Sequence, residues 1–190
     1  STRLPRAIRD VYKRQGYKIL AVVTDGGVGL DVALKHFPTQ MCQYHFIAIV
    51  RRKLTLRPKL PASQELLALA MSVGKISRIT FCSQLKKWET KWDTFLKEKT
   101  INDENGKWQY THKSLRSAHF SFRQYLPTLF TYEEHPDIQI PKTNNAIEGL
   151  FTALKSRLRA HNGMSQAHKK RFVDGFFRHR DIASVSYTHL

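Results

Sequence analysis

Acidic residues are scarce in this sequence. Its 190 residues carry 15 Asp+Glu against 32 Lys+Arg, a formal charge of +17. In a chain that is 41% hydrophobic, that imbalance argues against an inert solvated surface. It points to a folded domain with a polyanionic partner, nucleic acid before membrane. Cysteine is also nearly missing. Cys42 and Cys82, forty positions apart, do not make a disulfide framework, so a reducing cytoplasm is the expected compartment. No apolar run reaches the length of a membrane span and nothing reads as a signal peptide, so neither a membrane nor an export route is expected. Internal repeats and low-complexity segments are missing as well, and the length suits one domain with a real core.

Both ends are set aside from fold reasoning. Asp10-Val11-Tyr12-Lys13-Arg14-Gln15 and Ser186-Tyr187-Thr188-His189-Leu190 resemble strings produced when sequencing-adapter DNA is translated. Residues 1–15 and 184–190 are therefore expected to be non-biological tails, and the natural protein to extend past both. The charge survives this trimming. Residues 1–15 hold five basic residues and one acid, and the rest of the chain keeps +13.

Residues 17–24 are β-branched and aliphatic, ended by Asp25-Gly26-Gly27, and read as a strand buried on both faces. Val28, Val32, Ala33 and His36 have helical spacing up to Pro38. Residues 39–44 read as a second strand. A helix over about 45–54 then places Phe46, Ile47, Ile49, Val50 and Leu54 on one side and Arg51, Arg52 and Lys53 on the other. This order is that of a βαβ unit. After Pro58 and Pro61 the pattern turns helical over 62–100, with a loop at 102–106 and a further helix at 111–130. Residues 133–141 read as extended, and helices are expected at 145–160 and 166–180. Between these, Gly163 fits a helix C-cap and Ser165 the next N-cap. The fold class is α/β, helix-rich overall, with the α/β piece interrupted by a mostly α-helical insertion.

Three features carry chemistry. Asp25 ends a strand, where α/β sheets bind ligands; alone, it fits the Asp-Gly-Gly bend better than a metal. Glu148 lies in Asn145-Ala146-Ile147-Glu148, a capping-box pattern. Its helix pairs an apolar stripe of Ile147, Leu150, Phe151, Leu154 and Leu158 with a face bearing Thr152, Lys155 and Arg159. A carboxylate leading basic residues suits a metal beside a phosphate path, while Lys155, Arg157 and Arg159 also suit a solvated helix C-terminus. Cys42-x-x-His45 is half of a zinc pattern, but Cys82 has no partner at matching spacing and no zinc site is expected. Trp88 and Trp92, at i and i+4, read as core. Trp108, beside a loop, is open between core and a surface on which unpaired bases stack.

The succession Thr24-Asp25-Gly26-Gly27, Met41-Cys42-Gln43-Tyr44-His45-Phe46, an insertion, and Lys142-Thr143-Asn144-Asn145-Ala146-Ile147-Glu148-Gly149-Leu150-Phe151 resembles the mutator-like DDE transposases of bacterial insertion sequences. Tyr110-Thr111-His112, Arg116-Ser117-Ala118 and residues 154–159 extend the likeness over most of 17–180. The spacing, 17 residues from Asp25 to Cys42 and 123 from Asp25 to Glu148, adds to its specificity. The resemblance implies a partial ribonuclease-H-like core in two parts, 16–57 and 141–183, around a helical insertion at 58–140. It implies that Asp25 and Glu148 are catalytic metal ligands and that Cys42 and His45 form the family's signature pair. Its cofactor would be Mg²⁺ or Mn²⁺, two ions activating a water or 3′-hydroxyl for in-line attack on phosphate. The partner would be double-stranded DNA, at transposon ends and target, held by Arg51, Arg52, Lys53, Lys155, Arg157, Arg159, Lys169, Lys170 and Arg171. The complete protein would be a homo-oligomer in a prokaryotic cytoplasm, on the nucleoid when bound. One element of the pattern is missing. The only acid before Asp25 is Asp10, inside the set-aside tail, so the triad's first Asp has no counterpart, the two-metal site is incomplete, and this piece is expected to be inactive alone. A non-catalytic DNA-binding fragment and a ribonuclease-H-like nuclease are the alternatives.

Overall fold

A computed structural model describes residues 19–27, 36–102 and 106–186, with side chains as far as Arg178. The chain divides into two compact units, the division falling between Asn144 and Asn145. Residues 1–15, residues 187–190 and nearly all of the helix expected over 28–36 lie outside the described residues.

In the first unit, β1 (Val22–Thr24) pairs in parallel with β2 (Thr39–Met41), Val22 opposite Thr39 and Thr24 opposite Met41. The parallel order expected of a βαβ unit is present, but both strands are shorter than their apolar runs. The sheet has two strands among the described residues. Among the described residues β1 has a neighbour on one edge only, and Leu20 is half exposed outside the ladder. The second strand ends at Met41, not Tyr44. The Cys42 amide donates to Thr24 O (2.7 Å), and the Phe46 amide bonds back to Cys42 O (3.0 Å), so the backbone is already helical at Gln43.

Helix α1 (Gln43–Leu54) buries Phe46, Val50 and Leu54, one residue per turn. Pro61 opens α2 (Pro61–Met71) at a position where its missing N–H costs nothing. The helical stretch expected over 62–100 is two helices. The chain turns at 72–77, and Ser77 caps α3 (Arg78–Lys97), its hydroxyl accepting from the Thr80 amide (3.4 Å). Past α3 the chain forms an unexpected hairpin, β3 (Lys99–Ile101) antiparallel to β4 (Trp108–Tyr110). Helix α4 (Lys113–Leu129) follows, then one short turn, α5 (Thr131–Glu134). The segment expected to be extended over 133–141 is instead helical to Glu134 and then turns, the Ile138 amide donating to His135 O (3.1 Å).

One core joins these elements. Phe46 lies edge-on to Phe122 (5.0 Å), Phe122 stacks with Phe81 (5.9 Å), and Phe81 meets Phe130 (5.3 Å). Each fully buried Phe contributes about 1.5–3 kcal/mol by leaving water. Trp88 is core as its spacing predicted, its indole N–H donating to Ala62 O (3.0 Å), and Trp92 donates to Glu65 (2.8 Å).

The second unit holds α6 (Asn145–Ala160) and α7 (Gln166–Ser186). Ser165 caps α7 as expected, accepting from the His168 amide (3.4 Å). Gly163 does not take the left-handed conformation of a C-cap. The apolar stripe expected to be buried on α6 is buried only at Leu154, while Ile147 is 55% exposed and Phe151 46%. Phe151 meets Phe177 edge-on at 6.2 Å, so the pair of helices covers the middle of the stripe and leaves its N-terminal part open. Helix α7 runs to Ser186, past both the expected end at 180 and the tail boundary at 184.

Candidate active site and nucleic-acid interface

Parallel pairing brings two of the sequence motifs to the same sheet end. Asp25 directly follows β1 and Cys42 directly follows β2, both at the carboxyl ends of their strands. The Asp25 carboxylate is exposed, and its Oδ1 accepts from the Gly27 amide (3.1 Å). The turn role and an outward-facing oxygen therefore coexist in one side chain. Gly26, at φ +82°, makes that bend. A Cβ there would sit 2.9 Å from the Tyr125 ring and 3.1 Å from Met41 Cε, so backbone conformation and space both demand glycine.

Cys42 is fully buried. Its thiol donates to Asn144 Oδ1 (2.9 Å), while the next amide, Gln43 N–H, donates to Lys142 O (3.0 Å). These two bonds tie the segment leading to the Glu148 helix to the end of β2. His45 lies one turn into α1, half-buried, its ring edge-on to Tyr44 at 5.7 Å. Under this sheet end, buried Gln40 donates to Leu129 O (2.8 Å) and Met41 O (2.7 Å) and accepts from the Tyr132 amide (3.1 Å). That network locks β2 to the end of α4.

Glu148 belongs to the second unit, exposed in the first turn of α6. The helix already includes Asn145, so the cap position expected at Asn145 falls on Asn144, whose side-chain oxygen is engaged by Cys42. Among the described residues, no three His, Cys, Asp or Glu side chains gather into a metal-sized cluster. Asp25 and Glu148 are each exposed carboxylates of the hard-oxygen type that suits Mg²⁺ or Mn²⁺.

The predicted DNA-binding cations divide in two. Arg51, Arg52, Lys155, Arg157, Arg159, Lys169, Lys170 and Arg171 are all exposed, with Arg157 over the Phe176 ring at 5.4 Å. Lys53 is different. Its ammonium donates to Ser117 O (2.9 Å) and Ser121 Oγ (2.7 Å) on α4, and burial lowers its pKa. It joins α1 to α4.

No protein-family model, curated protein or solved structure matches the chain. The geometry stands on its own residues.

Sequence reasoning missed Gln40, Asn144 and the β3–β4 hairpin. The hairpin had a signal, since Thr100-Ile101 and Trp108-Gln109-Tyr110 flank a loop rich in Asn and Asp with Gly106 at φ +65°. Gln40 and Asn144 had none, because their partners are 89 and 102 residues away. A groove of about 420 Å³ between α2 and α3, lined by Trp88, Glu65, Lys87 and Lys91 among others, includes none of the motif residues. No helix is long and apolar enough to cross a membrane among the described residues.

Proposed function

We propose that this chain is part of the catalytic domain of a DNA transposase of the mutator-like DDE type, with a ribonuclease-H-like core. The observation that carries the reading is the shared sheet end. Asp25 and Cys42 follow two parallel strands at their carboxyl ends, and the segment leading to Glu148 is hydrogen-bonded to Cys42 and Gln43. Ligands of α/β sheets bind at that end. Asp25 and Glu148 would hold the divalent ions, which supply Lewis-acid stabilisation to the attacked phosphate. The exposed cations Arg51, Arg52, Lys155 and Arg159 would hold the DNA backbone.

The test is in the complete transposase, by an excision assay. Asp25→Ala and Glu148→Ala are each expected to abolish excision with protein levels unchanged; near-normal excision in both would end this reading.

The exposed cations also favour a second reading, a non-catalytic DNA-binding fragment. It predicts steeply salt-dependent, metal-independent binding that Asp25→Asn leaves unchanged. A ribonuclease-H-like nuclease would cleave but fail to join a pre-cut end to a target duplex.

A further inference from the structure

The β3–β4 hairpin adds almost nothing to the core. Five of its six ladder residues are exposed and Gln109 is half-buried. A two-stranded hairpin is marginal by itself, so its side chains are free to serve something other than packing. In the register, Ile101 faces Trp108 and Lys99 faces Tyr110. Directly opposed and alternate residues of a ladder share a face. Lys99, Ile101, Trp108 and Tyr110 therefore lie together on one side, with Thr100 and Gln109 on the other.

That side combines aromatic surface with positive charge. Trp108 is 69% exposed, Ile101 52% and Tyr110 38%. The Arg116 guanidinium lies 3.5 Å from the Tyr110 ring centroid and is fixed there by donating to Leu96 O (2.6 Å). Lys99 Nζ is 5.5 Å from the same ring. The neighbouring acids are already engaged, Glu98 with His112 (2.8 Å) and Asp93 with Lys97 (2.7 Å). Asp103 and Glu104, at the loop, lie outside the described residues.

We infer that this face is a stacking site for an unpaired base of single-stranded DNA, with Trp108 as the platform and Lys99 and Arg116 drawing in the adjoining phosphates. The inference rests on the nucleic-acid reading above and deepens it, because it separates single-strand from duplex binding. Its ligand follows from the chemistry. Flat rings beside fixed cations match a polyanion that carries π faces. A second copy of this equally basic chain would instead bring like charges together, and three exposed side chains fall far short of a stable dimer interface.

The experiment uses the 190-residue chain with a short oligothymidylate and a duplex of equal length, followed by fluorescence anisotropy and intrinsic tryptophan fluorescence. Trp88 is buried and Trp92 is hydrogen-bonded to Glu65, so quenching by the oligothymidylate reports chiefly on Trp108. We expect quenching in the unaltered chain. We expect about a tenfold loss of single-strand affinity in Trp108→Ala, the scale of one lost base stack. Trp108→Phe should restore it, and duplex affinity should hold in both variants. Absence of quenching at saturation overturns the stacking site, and so does an equal loss on both DNA forms or no loss on either. A change of sedimentation coefficient in Trp108→Ala would assign the face to a second copy and overturn it too. If the chain binds neither form, the nucleic-acid reading itself falls; duplex binding with a silent Trp108 removes only the stacking site.

Discussion

The Cys42 thiol donates to Asn144 Oδ1 at 2.9 Å, joining residues 102 positions apart. One partner closes β2 and the other immediately precedes α6, the helix of Glu148. The Cys42 thiol, half of a Cys-x-x-His pattern, is thus a buried hydrogen-bond donor.

Cys42→Ala is expected to cost about 1–2 kcal/mol, because it leaves the Asn144 oxygen without that donor. Cys42→Ser keeps a donor and should cost less. Urea unfolding of Cys42→Ala, Asn144→Ala and the double variant should give less than the sum of the single effects. Strict additivity would show that the two side chains do not interact.

Gln40 makes a second test of the same sheet end. Gln40→Leu fits the volume but strands the Tyr132 amide and leaves Leu129 O only the longer bond from Gln43 Nε2 (3.3 Å). A loss of about 1–3 kcal/mol is expected, since the Tyr132 amide is left unpaired. A variant as stable as the parent would mean that water replaces the amide.

The basic residues of α1 should separate in a binding titration. Arg51→Ala and Arg52→Ala should each weaken duplex binding and lower the salt slope by about one unit, as loss of a phosphate contact does. Lys53→Ala should leave that slope unchanged and lower the thermal midpoint, because its ammonium is bonded to Ser117 and Ser121. Equal slopes lost from all three would return Lys53 to the interface.

Glu65 predicts an acid response. Hydrogen bonds from Lys91 and then Trp92 hold its carboxyl below the usual carboxylate range, against an opposing effect of burial. Since the folded pKa lies below the unfolded one, the stability that this contact adds is complete above the ordinary carboxylate range. It is lost as pH falls through the folded value. Glu65→Gln should therefore flatten the acid limb of stability measured by urea midpoint against pH. An acid limb as steep as the parent's would assign the response to other groups.

Much of the helical architecture was legible because it depends on local spacing. Phe46, Val50 and Leu54 recur once per turn and Ser165 sits at a cap, and each does in the fold what its position predicts. The same reasoning failed where burial depends on neighbours. The stripe on α6 has the right period, yet Ile147 and Phe151 are half exposed, because periodicity says which residues share a face but not what covers it. Lys53 shows the converse. Its sequence neighbours Arg51 and Arg52 are exposed, while one step further round the helix the cation meets α4.

By itself, the sequence determined the positive charge, the helix periods and the order of the Asp25, Cys42 and Glu148 motifs, since these depend on composition and short-range geometry. Only the tertiary structure decided that Asp25 and Cys42 share one sheet end, that Cys42 grips Asn144, and that Trp108 faces outward. Pairing, long-range hydrogen bonds and exposure are set by residues far apart in the chain, and their contacts leave no local pattern to read.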